Sequence, residues 1–202
     1  MGAVVLDMSM SLDGFVTGPD PQEGQPLGEG GERLHEWMFS ERAAPGGPPE
    51  HGQAAGANGG VARESFATTG AVLMGRRMFD LAIGPWGDTP FPVPCFVLTH
   101  RPHEDLVMAS GTFTFITTGL TTALDRAKAA AGGKNVLAHS PGIAQQLLRA
   151  GLLDEVQLHL VPVLLGAGRR LFDHAGQASR ELEPTGVIEA PGVTHLRYRL
   201  PR

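Results

Sequence analysis

A single cysteine, Cys95, stands among the 202 residues. One thiol cannot close an intramolecular disulfide, and it leaves a cysteine-based zinc site without ligands. Basic residues are scarce as well: 16 Lys and Arg face 21 Asp and Glu, for a formal net charge of −5. That balance, with no lysine or arginine cluster, gives non-specific nucleic-acid binding no electrostatic support. No apolar run approaches the ~18 residues of a membrane-crossing helix. The apolar N-terminal stretch is interrupted by Asp7 and Asp13 and has no basic residue before it, unlike a secretory signal. These absences predict a soluble, cytoplasmic protein that meets neither membrane nor nucleic acid. With 42% hydrophobic and 18% charged residues the composition is that of a globular chain, and the length suits one domain over residues 1–202.

What is present is an alternation of short apolar runs and helical patterns. A strand opens at Val4-Val5-Leu6, and turns follow at Gly14 and Gly18. The segment 17–31 is polar and turn-rich, and Leu34, Trp37 and Met38 at helical spacing predict a short helix over 32–40. A second irregular stretch is expected over 44–60; loops this long inside a compact domain often shape a binding site. Strands are expected over 71–74, 94–98, 113–116, 135–138 and 156–160, and helices over 76–83, 122–131 and 141–149. The last helix has Ser140 as N-cap, Pro141 at its first position and Gly151 just past its end. Alternation of Val156, Leu158 and Leu160 with Gln157 and His159 marks a half-buried strand with His159 on the less buried face. Strands over 187–189 and 194–200, joined at Pro191-Gly192, form a hairpin. Strands alternating with helices predict an α/β fold with a largely parallel sheet and a final antiparallel hairpin. In such folds ligands bind at the carboxyl ends of the strands.

Three of those strand ends suit an anion. Gly75-Arg76-Arg77 passes from strand into helix, where free N–H groups and guanidinium donors combine. Thr99-His100-Arg101 sets a hydroxyl, an imidazole and a guanidinium in a row. Ala138-His139-Ser140-Pro141-Gly142 joins a strand to a helix start. Each alone is an ordinary surface turn. Three in one domain match a ligand with several phosphates, although no complete GxGxxG or Walker motif is present.

Four segments carry a family resemblance: SLDGFVTGPD (11–20), VLMGRRMFD (72–80), FVLTHRP (96–102) and GIAQQLLRAGLLDEVQLHLVPVLLGAGRRLF (142–172). In this order, across nearly the whole chain, they resemble the dihydrofolate-reductase-like superfamily. Within it they are most similar to the C-terminal reductase domain of riboflavin-biosynthesis deaminase-reductases and their stand-alone relatives. The resemblance implies a three-layer sandwich: a mixed, mostly parallel sheet, flanking helices and a C-terminal antiparallel hairpin. It also implies an NADPH-dependent reductase, often a homodimer, acting on a small pterin- or pyrimidine-like substrate. By the same resemblance Gly75, Arg76 and Arg77 meet the cofactor's phosphates, and Thr99, His100 and Arg101 its adenosine ribose phosphate. His139, Ser140, Pro141, Gly142 and Ile143 occupy the strand end where the family presents a Gly-Gly pair. Ser9 and Val16 lie where the nicotinamide is expected.

For an acid in the substrate pocket, the candidate is Glu36, on the helix after the first loop, with Asp7 second and Asp13 read as a turn former. Trp37 and Phe39 are candidates for stacking on a planar ring. Two other chemistries are weaker. The elbow-like A-H-S-P-G lacks the N–H after Ser140 that an oxyanion hole needs, because Pro141 follows. The His100/His103 pair has no carboxylates at ligand spacing, so no metal is expected. The rival to a reductase is a non-catalytic nucleotide- or small-molecule-binding protein on the same fold, motivated by His139-Ser140.

Overall fold

The computed structural model describes residues 2–39, 56–173 and 179–201. The chain opens with β1 (Val4–Ser11) and β2 (Phe15–Thr17), then a 3-10 helix over Gly31–Met38. There follow α1 (Gly56–Thr68), β3 (Thr69–Gly75), α2 (Arg76–Trp86), β4 (Cys95–Leu98), β5 (Leu106–Val107) and β6 (Thr112–Ile116). Next come α3 (Leu120–Ala130), β7 (Asn135–Ala138), α4 (Pro141–Arg149) and β8 (Glu155–Val161). β9 (Arg169–Arg170), β10 (Glu183–Ala190) and β11 (Val193–Arg199) complete it.

Nine strands form one sheet in the order β10-β11-β8-β1-β7-β3-β4-β6-β5, and β2 pairs with β9 in a separate ribbon. From β8 to β6 every neighbouring pair is parallel. β11 and β10 run antiparallel at one edge and β5 at the other. The three-layer arrangement follows from alternation along each strand. On β3, Ala71 and Leu73 enter a core shared with Leu124 of α3 and Ile143 and Leu147 of α4. Val72 and Met74 enter the opposite core with Phe79 of α2, Cys95 and Phe113. Both faces being covered, β3 is an unbroken apolar run, as expected of an inner parallel strand.

Most boundaries of the expected elements fall within a few residues of the sequence expectation; β2, β5 and β9 were not expected, and three further features depart from it. The stretch 44–60 was expected to be irregular, but residues 56–60 begin α1; 40–55 lie outside the described residues. Leu34 and Trp37 are buried as expected, but on a 3-10 helix, whose three residues per turn suit an i, i+3 pair. The turn-rich segment 17–31 doubles back on itself: Gly18 N–H donates to the Leu27 carbonyl at 2.8 Å and Glu29 N–H to the Pro19 carbonyl at 3.0 Å. Side chains cannot fit there. A Cβ on Gly18 would come within 1.9 Å of the Glu29 carbonyl oxygen, and Gly28 has φ +70° against the Pro19 carbonyl.

Candidate functional site

A cleft of about 620 Å³ runs along the carboxyl ends of the parallel strands, within the ~300–1,000 Å³ typical of ligand sites. The three segments singled out in the sequence open onto it together: Arg76 and Arg77 from the start of α2, Thr99 and His100 after β4, and Ser140 before α4. Ser9, Val16, Gly75, His139, Pro141, Gly142 and Ile143 line the same cleft. Arg101 lines a smaller adjoining recess of about 380 Å³, with Arg76, Arg77 and His100. Thr117, Gly119 and Leu120 add the start of α3 to the cleft wall. Neighbouring strands lie ~4.8 Å apart, so from β1 to β4 the site extends roughly 14 Å across the sheet.

At the α4 end the hydroxyl of Ser140 has a task that the sequence did not indicate. It makes no cap bond; it accepts the Gly75 N–H at 3.1 Å and so ties β3 to the start of α4. His139 turns aside onto Phe91, ring centroids 4.9 Å apart. Gly75 itself has φ −89°, and a Cβ there would meet Ser140 Oγ at 3.5 Å, so the tight turn expected of this glycine is not imposed by the backbone.

The cationic end holds a residue that the sequence reading passed over. On the β2–β9 ribbon, Arg169 and Arg170 point to opposite sides. Arg170 serves the fold: it donates to the Asp13 carbonyl at 2.9 Å and lies 4.4 Å over the Phe15 ring. Arg169 lines the cleft, close enough that a Cβ on Gly142 would sit 3.3 Å from its guanidinium. Burial first, and then the charge of Arg77, push the Arg169 guanidinium below its ordinary value. Neither Arg77 nor Arg169 has a carboxylate partner among the described residues. Arg76 differs: it donates to Asp80 at 2.6 Å, and Arg101 reaches the other oxygen of that carboxylate at 2.9 Å. Thr99 accepts the Arg101 N–H at 3.0 Å and shapes this loop.

The far end of the cleft is built by β1, β8, α1 and the 3-10 helix. Glu36 is exposed and does not line the cleft, so it is not the pocket acid expected for it. The neighbouring position does face inward: Trp37 packs on His159 with centroids 4.6 Å apart and donates its indole N–H to Ser9 Oγ at 3.0 Å. The acid at this end is Asp7. It accepts from Ser65 Oγ at 2.6 Å and meets His159 Nε2 at 2.7 Å. Burial pushes the Asp7 carboxyl up, but His159 and the Ser65 hydrogen bond more than offset it, leaving it below the usual carboxylate range. His159, assigned to the less buried face, is only 5% exposed, with Trp37 packed on it. Behind it His195 on β11 lies 2.7 Å away, Nδ1 to Nδ1. Asp13 is a turn former, as expected: its carboxylate takes the Ser11 hydroxyl at 2.6 Å and the Gly166 N–H at 2.7 Å.

Fold and cleft together define an α/β protein of the dihydrofolate-reductase-like type. The RibD C-terminal domain family matches residues 3–196, and the chain belongs to that family. Comparison with curated protein sequences finds no match. Among solved structures, a putative riboflavin biosynthesis protein from Shewanella sp. PV-4 superposes with TM-score 0.68 at 19% identity, covering 99% of both chains. RibD of Acinetobacter baumannii gives 0.60 at 18%, covering all of this chain but 59% of that one. Dihydrofolate reductase from Enterococcus faecalis, complexed with NADP(H), gives 0.53 at 12%, covering 100% and 98%. At such identities these likenesses establish the fold.

Proposed function

We propose that the protein is an NADPH-dependent reductase that transfers hydride to a small heterocyclic, pterin- or pyrimidine-like substrate. The observation that carries this reading is the Arg77–Arg169 pair. Two like charges held together in a cleft, beside the N-terminal ends of α2 and α4, are unfavourable until an anion joins them. The donor set fits a phosphorylated dinucleotide: guanidiniums and helix N–H groups for the diphosphate, and the recess of Arg76, Thr99, His100 and Arg101 for a ribose phosphate. When bound, such a cofactor supplies a hydride. The chain's own part is to grip the phosphates at one end and to exclude water at the other with Val16, Leu27 and Trp37.

Titration with NADPH and NADH tests the reading. NADPH is expected to bind more tightly. Arg77→Ala and Arg169→Ala should each weaken both nucleotides about 10- to 100-fold, the equivalent of ~1.5–3 kcal/mol for a charged hydrogen bond. Arg101→Ala should narrow the NADPH-to-NADH ratio. Absence of nucleotide binding at millimolar concentration would leave the non-catalytic binding protein as the better reading.

A further inference from the structure

The cleft end remote from the arginines holds a continuous hydrogen-bonded chain of five side chains drawn from β1, α1, β8 and β11. It runs Ser65–Asp7–His159–His195–Asn58 and ends on the carbonyl of Pro191. Asp7, Ser65 and His159 line the cleft, while His195 is 1% exposed and Asn58 fully buried.

Its proton content follows from its last member. The Pro191 carbonyl can only accept, so the Asn58 atom facing it, at 3.2 Å, is the donating Nδ2. Asn58 Oδ1 therefore faces His195 Nε2, at 3.0 Å, and that nitrogen carries a hydrogen. In a neutral His195, Nδ1 is then an acceptor, and His159 Nδ1, 2.7 Å away, must donate. The contact between His159 Nε2 and Asp7 Oδ1, also 2.7 Å, then needs a proton of its own. Whether that proton sits on Asp7, on His159 or, after a shift along the chain, on His195, every contact is satisfied. Remove it and two acceptors face each other somewhere in the chain, which a buried network resists.

We propose that Asp7, His159 and His195 form a proton relay that stores one proton beside the cleft and delivers it to the imine-type nitrogen of the substrate. This rests on the reductase reading. Reduction of a C=N bond needs a hydride at carbon and a proton at nitrogen. The dihydronicotinamide is the hydride source and ends oxidised. The C=N π bond breaks as the new C–H and N–H bonds form. The proton comes from the Asp7–His159 link, which then recovers one from solvent to relieve its acceptor–acceptor contact. Asp7 and His159 meet the substrate; His195 and Asn58 are positioning residues that fix the direction of the chain.

The surrounding charges disfavour the proton on His195, where Arg197 opposes it, and leave it to the Asp7–His159 link. Glu64 on α1 and Arg197 on β11 neutralise each other through bonds of 2.9 and 2.6 Å. His139 acts on Asp7 from the end of β7, Glu155 on β8 acts on Arg197, and His35 lines the cleft from the 3-10 helix. Burial first, and then the charge of His159, hold His195 neutral, with its pKa pushed down to about 4.

Ring-nitrogen NMR of the full chain, labelled with ¹⁵N-histidine, tests the relay without turnover. At pH 7 the expected pattern is hydrogen on His195 Nε2, none on His195 Nδ1, hydrogen on His159 Nδ1 and a shared proton at His159 Nε2. A neutral His195 beside a His159 with a bare Nδ1 would overturn the relay. Asp7→Asn should remove the proton at His159 Nε2, and Asn58→Leu should leave His195 as a mixture of tautomers. Unchanged spectra in both variants count against it. Delivery is read with ¹⁵N-labelled 3,4-dihydroisoquinoline, a cyclic imine, at a pH where the free imine is unprotonated. Bound to the NADPH-saturated protein its nitrogen should be protonated, and in Asp7→Asn it should not be. No binding, or an unprotonated bound imine, refutes delivery. A failed NADPH titration with the expected histidine pattern would instead sink the reductase reading alone.

Discussion

His195 carries a pH dependence of stability. Its pKa falls from 6.5 to about 4 on folding, through burial first and then the charge of His159. Between those values the unfolded chain binds the proton that the native His195 refuses, so the contribution of His195 to stability is full above pH 6.5 and declines as pH falls towards 4. The expected loss is on the order of 3 kcal/mol over that interval, measurable by urea denaturation at a series of pH values. A flat profile would mean that His195 takes up its proton as readily in the native as in the unfolded chain. Trp37 offers a second check. Trp37→Phe keeps a ring against His159 but loses the bond to Ser9, and should cost about 1 kcal/mol. These residues show where single-residue reading of a sequence stops. Asp7 and His159 are 152 positions apart and His159 and His195 are 36 apart. Nothing local marks them as partners. Glu36 drew attention as an acid on the right element, yet its neighbour Trp37 is the one facing inward.

On α2, Asp80 bridges Arg76 four residues earlier and Arg101 from the loop after β4. It therefore lowers the positive charge of the recess lined by Arg76, Arg77 and Arg101. Asp80→Asn should raise the preference for NADPH over NADH several-fold, since a charge-assisted contact is worth ~1.5–3 kcal/mol. An unchanged ratio would place the ribose phosphate elsewhere. The elements themselves were unevenly legible. α4 was readable from Pro141 at its first turn and Gly151 beyond its end, with Ile143 and Leu147 on its apolar face. α1 was not, because Gly56, Gly59 and Gly60 disfavour a helix and its apolar residues do not recur at helical spacing. It holds through tertiary bonds: Asn58 to Pro191 and His195, and Ser65 to Asp7. β2 and β9, at three and two residues, are too short for any periodicity to show.

For the molecule as a whole, Cys95 reports opening of the core. It is 1% exposed on β4, and burial raises its thiol pKa to about 11. In native protein at pH 8 it should be inert to aromatic disulfide reagents, with labelling only as fast as the fold opens. Rapid labelling without unfolding would contradict its place between the sheet and α2. The general architecture was the most legible scale, because alternating apolar runs and capped helices report layer and order directly. The convergence of three turns on one cleft was readable in outcome but not in detail, since Arg169 joins it only through β2–β9 pairing.

β7 lies between β1 and β3, so in the main sheet every backbone hydrogen bond joining the Asp7–His159 half to the arginine half passes through Asn135–Ala138. Val136, Leu137 and Ala138 of that seam are all buried. For any molecule that must touch both ends at once, the width of that seam is part of the span it has to bridge.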